Sequence, residues 1–219
     1  MEINAVAAWI NTVFAGFDQW AASFVHNLYT LGGGFFTPFF QVMGWLGAHG
    51  IFLIVLSLVL LAIPKTRRYG TAMALGLAIG AIITNLILKT IVARPRPYSE
   101  ETAKFFNTTF FQSLWEKVGQ MTESDKSFPS GHTTAAFASM VALFLMGNKK
   151  VSWMALIFAV LMAISRIYLM VHFATDVVGG LLVGIPSGIA AAAIAKHLPQ
   201  AYYDFDFGIS KRRQKKANA

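Results

Sequence analysis

Cysteine is absent from all 219 residues. That absence removes disulfides, thiolate nucleophiles and cysteine-based metal sites, while leaving the compartment open. Charge is scarce as well. Only 13% of residues are charged and 56% are hydrophobic, where an ordinary soluble domain carries about 25% charged residues. The deficit points to an integral membrane protein. Acidic groups are the rarer sign, 10 against 18 basic, giving a net charge of +8. This excess does not read as a nucleic-acid footprint. Much of it lies in short loops and in the tail Lys211-Arg212-Arg213-Gln214-Lys215-Lys216, and such clusters beside a membrane span favour anionic lipid headgroups on the cytoplasmic side. A basic leader is lacking too: Glu2 is the first charge, so no cleavable signal peptide is expected.

What is present is a series of apolar runs. A bilayer core requires about 20 apolar residues per helix. The clearest spans are Gly70–Leu88, Val151–Met170 and Val177–Ala195. Thr133–Met146 is shorter and gains length from its flanks, and Phe36–Ile63 holds another span, densest in Ile51–Ile63. Val6–Leu31 is apolar but carries Asn11, Asp18, Gln19, His26 and Asn27. It reads either as a sixth span or as an amphipathic helix lying in the interface, with Gly32-Gly33-Gly34 and Pro38 marking the break after it. The expected fold is therefore all-α: a polytopic membrane bundle of five to six transmembrane helices forming one domain over 1–219. Its parts are an N-terminal helix within 1–35, a loop at 93–131 and a basic tail at 204–219.

Charges in the loops set the orientation. Lys65, Arg67 and Arg68, then Lys149 and Lys150, then the tail are each separated by an even number of crossings. The positive-inside rule puts all three in the cytoplasm. The loop at 93–131 and the turn near Met170–Asp176 then face the extracytoplasmic side. Glu100, Glu101, Glu116, Glu123 and Asp125 in the long loop read as charges of a solvated outer segment.

Four polar clusters collect at that outer face. Lys89 ends an apolar helix, from which its ammonium can snorkel to the interface. Arg94-Pro95-Arg96-Pro97 follows, its prolines restricting the residues before them to extended shapes. Pro129-Ser130-Gly131-His132 opens a helix. The first N–H groups of a helix lack internal partners and, with the dipole, form an anion site. Ser165-Arg166 lies late in a span, where a guanidinium needs a partner and a phosphate suits its planar fork. His172 and Asp176 share a helix face four residues apart. A carboxylate on one imidazole nitrogen leaves the other as a base or nucleophile. Taken singly these are a basic interface anchor, a capped turn and a polar helix end. Taken together they supply cations, free N–H groups, two imidazoles and a carboxylate on one side of a membrane.

Lys89-x6-Arg96-Pro97, Pro129-Ser130-Gly131-His132 and Ser165-Arg166-x5-His172-x3-Asp176 resemble, in order and at every signature position, the three motifs of the type 2 phosphatidic acid phosphatases. The likeness runs over roughly residues 89 to 176. It implies that His172 attacks phosphorus, that Asp176 orients it, and that His132 protonates the leaving oxygen and then activates water. It implies that Lys89, Arg96, Ser130, Gly131 and Arg166 bind the phosphoryl oxygens. Arg94 lies outside the strict signature and is taken as auxiliary, together with Pro97. The resemblance implies no metal and no cofactor, since fixed cations supply the charge.

The expected activity is hydrolysis of a lipid phosphate or pyrophosphate at the outer face of a cytoplasmic membrane, with undecaprenyl pyrophosphate as the leading substrate. Phosphatidylglycerol phosphate, phosphatidic acid and lipid A phosphates are alternatives. So are a phosphatase of small soluble esters and, in another class, a non-enzymatic lipid or ion transporter. The expected partners are a lipid phosphate and the bilayer, with no nucleic acid. The sequence gives no oligomeric state.

Overall fold

The computed structural model describes residues 3–47, 50–123 and 126–204. Among them every regular element is a helix. Two helices, α1 (Ala5–Val13) and α2 (Ala15–Gly32), open the chain. Asn4 caps α1 by accepting the Val6 N–H, and α2 stops where Gly33 takes a left-handed φ of 54°. Helices α3 (Thr37–Gly47) and α4 (Ile51–Ala62) form a pair bent by 56°. Next come α5 (Arg67–Ala81), a π-helical stretch (Ile82–Leu88) and α6 (Lys89–Val92), which make one apolar rod of 26 residues. The long loop contains α7 (Glu100–Phe106) and α8 (Phe110–Lys117). The bundle then closes with α9 (Gly131–Met146), α10 (Lys149–Tyr168), α11 (Ala174–His197) and the short α12 (Gln200–Asp204).

Three of these are long and apolar enough to cross a membrane: Arg67–Val92, Lys149–Tyr168 and Ala174–His197. The bent pair α3–α4 makes a fourth if it is one span, and α9 is a shorter apolar helix. Large exposed side chains line the outside of the bundle. Val178, Leu182, Ile185 and Ile189 on α11 recur at helical spacing, as do Ile157, Val160 and Ile164 on α10. Stripes of this kind suit lipid rather than water. The protein is thus a multi-pass helical membrane protein.

The centre of the bundle is α9, packed against α5, α10 and α11. Close approach depends on small residues. A Cβ on Gly76 would lie 2.4 Å from the Ala138 carbonyl oxygen, and one on Gly188 would lie 2.8 Å from the same atom. Membrane helices associate through such contacts because lipid removes the hydrophobic drive between them. At the other end of the bundle from the loop, buried Arg67 at the start of α5 donates to the carbonyls of Leu61, Tyr202 and Tyr203 and so ties α12 to the last turn of α4. Of the basic tail expected at 204–219, residues 205–219 fall outside the described residues.

Helices α1 and α2 share one amphipathic pattern. Trp9, Val13, Phe17, Trp20 and Phe24 point outward, while Ala7, Ile10, Asn11, Asp18, Ala21, Ala22 and Val25 are buried. Neither helix is among those long and apolar enough to cross.

Candidate active site

The site is built where α9 and α11 begin, where α10 ends, and where the rod from Arg67 gives way to loop. Ser130 caps α9: its Oγ accepts the Thr133 N–H at 3.3 Å, and its own N–H donates to the Asp176 carbonyl at 3.0 Å. This locks the start of α9 to the first turn of α11 and leaves the first N–H groups of α9, at Gly131 and His132, at its mouth. Lys89 lies beside them, its Nζ 3.4 Å from where a Gly131 Cβ would sit. It does not snorkel from a helix end as the sequence suggested. The helix runs on to Val92, and Lys89 is only 8% exposed. A π-helical segment immediately before it resets the helical phase, a feature common at functional sites.

One carboxylate sits at the focus. Arg96 Nη2 is 2.6 Å from Glu123 Oε2, and Arg166 Nη1 is 3.0 Å from Oε1. His132 Nδ1 lies 3.4 Å from Oε1, and His172 Nε2 lies 3.4 Å from Oε2. The sequence placed Glu123 on a solvated loop. The structure corrects this, since Glu123 is 15% exposed and surrounded by the motif residues. Tyr98 holds it there, accepting the Glu123 N–H at 3.0 Å and donating to the Glu123 carbonyl at 3.2 Å. Tyr98 stacks on Trp115, whose Nε1 donates to the Met121 carbonyl at 2.7 Å. Burial disfavours the charge on Glu123, yet the hydrogen bond and charge of His172, with the charges of His132 and Arg96, keep this carboxyl far below the usual range.

His172 is fully buried and held from both sides. Arg96 Nη1 donates to the Val171 carbonyl at 2.7 Å and lies 3.1 Å from His172 Nε2. A guanidinium can only donate, so Arg96 favours a bare Nε2 with the ring proton on Nδ1, whereas the Glu123 carboxylate 3.4 Å from the same nitrogen favours a proton on Nε2. With Glu123 displaced, the Arg96 contact leaves Nε2 unprotonated. On the Nδ1 side lie Ser127 Oγ at 3.4 Å and Asp176 Oδ2 at 3.6 Å. Asp176 Oδ2 is itself fixed by Ser127 Oγ at 2.5 Å and by the Phe173 N–H at 2.9 Å.

Arg94 faces the other oxygen of Asp176, with Nη1 2.6 Å from Oδ1. Its remaining contacts reach Asn11 and Thr175, each at 2.7 Å, and Asp18 at 2.8 Å. All the charged members are buried. Removing one partner from such a pair costs about 3–5 kcal/mol, so this network is a structural commitment. Pro97, the other auxiliary residue, is buried beside Arg96.

The structure therefore brings Lys89, Arg96, Ser130, Gly131, His132, Arg166, His172 and Asp176 together, and sets Arg94 behind Asp176. Sequence reasoning missed Glu123 and Ser127 in the loop, and Asn11, Asp18 and Thr175 behind the site. It also missed two glycines of α3. A Cβ on Gly44 would lie 2.4 Å from Arg166 Nη2, and one on Gly47 would lie 2.4 Å from His132 Cδ2. Their only signal was a pair of glycines one turn apart on an apolar helix. Glu123, His132 and His172 have ligand atoms within 4.8 Å of one another, a donor set that suits a divalent metal. Two guanidinium groups already bind that carboxylate, however, and a dication there would face both. The chemistry of the cluster fits an anion.

Residues 67–199 match the PAP2 superfamily. The chain belongs to it. Among its relatives, undecaprenyl-diphosphatase BcrC of Bacillus subtilis (strain 168) is 31% identical over 137 residues, 62% of this chain and 63% of that protein. The match thus spans less than two thirds of that relative's length. Phosphatidylglycerophosphatase B of the same organism is 44% identical over 73 residues, 29% of this chain and 36% of that one. The crystal structure of a transmembrane PAP2-type phosphatidylglycerolphosphate phosphatase from Bacillus subtilis superposes with a TM-score of 0.64 at 25% identity, covering 89% of this chain and 92% of that one.

Proposed function

We propose that this PAP2 protein is a metal-independent lipid phosphatase acting through a phosphohistidine, with undecaprenyl pyrophosphate as its substrate. The observation that carries this reading is the closure of Arg96, Arg166, His132 and His172 around one carboxylate. A tetrahedral phosphoryl group offers the same negative oxygens, and displaces Glu123 to take its place. His172 Nε2 then attacks phosphorus. The P–N bond forms as the bond to the leaving oxygen breaks, and His132 gives that oxygen a proton. Water next attacks the phosphohistidine, His132 takes its proton, and the P–N bond breaks to release inorganic phosphate. Asp176 supports the positive charge gained by the imidazole. Lys89, Arg96, Arg166, Ser130 and the Gly131 N–H stabilise the equatorial oxygens.

Undecaprenyl pyrophosphate is favoured by the named activity of BcrC over the longer of the two sequence matches. Phosphatidylglycerol phosphate is the second reading, supported by the structural neighbour. The same proposal treats 1–219 as one membrane-embedded domain, with 1–35 an interfacial or spanning helix, 93–131 outside and 204–219 at the cytoplasmic face.

The test is phosphate release by the detergent-solubilised chain on undecaprenyl pyrophosphate, phosphatidylglycerol phosphate, phosphatidic acid and a sugar phosphate, with EDTA present. Fastest release from the prenyl substrate, unchanged by chelation, is expected. Acid hydrolyses the P–N bond of phosphohistidine, so the intermediate is trapped under alkaline conditions, and His172→Ala abolishes it. Activity that requires added Mg²⁺, or label retained by His172→Ala, overturns the mechanism.

A further inference from the structure

The family match begins at residue 67, yet two residues of the N-terminal helices reach the back of the histidine site. Asp18 on α2 is 2% exposed. Its Oδ2 accepts from Arg94 Nη2 at 2.8 Å, and its Oδ1 accepts the Thr175 N–H at 2.9 Å. Asn11 on α1 accepts from Arg94 Nε at 2.7 Å. The guanidinium carbon of Arg94 sits over the Phe173 ring, 3.9 Å from its centroid. Arg94 touches one oxygen of Asp176 at 2.6 Å, and His172 faces the other at 3.6 Å.

The charges of this triad do not cancel. With both carboxylates ionised, Asp18 and Asp176 against the one guanidinium of Arg94 leave a surplus of one negative charge. Arg94 alone would orient Asp176 but also neutralise it. Asp18 takes up the charge of Arg94 from behind and leaves that of Asp176 available to His172. In a buried site with little water, such a surplus is felt at the imidazole. It matters most when His172 bonds phosphorus and its ring becomes cationic.

We propose that Asp18 is a positioning residue for the nucleophile: it holds Arg94 against Asp176 and offsets its charge, so that Asp176 presents a net negative charge to His172. This rests on the role of His172 given under Proposed function. It makes the N-terminal helices α1 and α2 part of the catalytic unit.

The readout is the acid limb of the kcat/KM pH profile, measured on the full-length chain in detergent with a prenyl diphosphate. His172 is faced by Asp176 and Ser127 on its Nδ1 side, and by Arg96 and Glu123 on its Nε2 side, with His132 across from Glu123. None of these changes in the variants. Asp18→Asn leaves the triad neutral, so the nucleophile resists protonation and the limb moves to lower pH, by about one unit. Arg94→Gln leaves two carboxylates, and the limb moves to higher pH. The double variant restores a single negative charge and brings the limb back to the wild-type position. In Asp18→Asn, Arg94 keeps Asp176, and in the double variant Asp176 keeps Ser127 Oγ and the Phe173 N–H, so these two variants carry the comparison even if Arg94→Gln, which strips Asp18 of its counter-charge, fails to fold. A purely structural role lowers activity without opposed shifts. Active wild type with single-variant limbs that coincide with it, or that move in the same direction, overturns this proposal. Wild type that releases no phosphate from any lipid overturns the phosphatase reading instead.

Discussion

Glu123 decides how the site opens. Burial opposes its charge, but His172, His132 and Arg96 hold the carboxyl well below the ordinary range. A depressed value in the fold means that its contribution to stability is present above the usual carboxylate range and is lost only as pH falls toward the depressed value. At working pH it is therefore always an anion, and a phosphate must outcompete it. Glu123→Gln keeps the shape and removes the competitor. Inorganic phosphate and vanadate are expected to inhibit this variant at concentrations at least tenfold lower, roughly 1.4 kcal/mol of binding. Without an added anion its melting temperature falls, because Arg96 and Arg166 lose their counter-charge, and phosphate restores it. Inhibition constants equal to wild type would show that the carboxylate does not occupy the phosphoryl position. None of this was legible in the sequence. The motif residues were, because fixed spacings tie them together. No spacing rule connects a loop glutamate to them, nor Asp18 to Arg94, which lie 76 residues apart.

At the scale of elements, hydropathy located the helices and missed their ends. Gly70–Leu88 became Arg67–Val92, and Val177–Ala195 became Ala174–His197. The added turns hold the polar residues, which an apolar-run criterion discards: Lys89 at one end of a rod, Asp176 at the start of α11. Hydropathy does not see what surrounds them: Lys89 is buried beside the start of α9, and Asp176 is paired with Arg94 and Ser127. The π-helical stretch escaped as well, since one wider turn barely alters a pattern of Ile and Leu. Helix α3 shows what an element contributes beyond its span. It is held to α10 by a hydrogen bond of 2.8 Å between Thr37 Oγ1 and the Tyr168 phenolic hydroxyl, and by the Phe40 and Tyr168 rings. That seat brings Gly47 against His132. Gly47→Ala places a methyl 2.4 Å from the imidazole, and overpacking of this kind costs typically about 1–3 kcal/mol. Here the cheapest relief is a shift of His132. The variant is expected to lose at least tenfold in kcat, with little change in KM and a melting temperature lowered only slightly. Wild-type kcat in a folded Gly47→Ala would mean that α3 does not confine the histidine.

On the scale of the whole molecule, the helices carry a common polarity. The rod that starts at Arg67 has Lys89 near its far end, α10 runs from Lys149 and Lys150 to Arg166, and α11 runs from Asp176 to Lys196 and His197. Every one of them has a basic collar at one end and site residues at the other. The all-helical membrane class and this polarity were both readable from composition and loop charge, because the bilayer imposes them on sequence directly. The placement of the N-terminal helices was not, since their buried Asn11 and Asp18 make sense only against Arg94. The positive-inside rule assigns the collars to the cytoplasm and the site to the outer face, the side where a spent lipid carrier would present its pyrophosphate under the proposed function. A chain without cysteine allows a clean test. Lys117, exposed at the end of α8, is replaced by cysteine in one variant, and Lys150, exposed at the start of α10, in another. Neither side chain touches the site. An impermeant maleimide is expected to label Lys117→Cys in intact cells and Lys150→Cys only after lysis. The reverse pattern would turn the active site to the cytoplasm, and the substrate would then have to be a phosphate lipid of the inner leaflet.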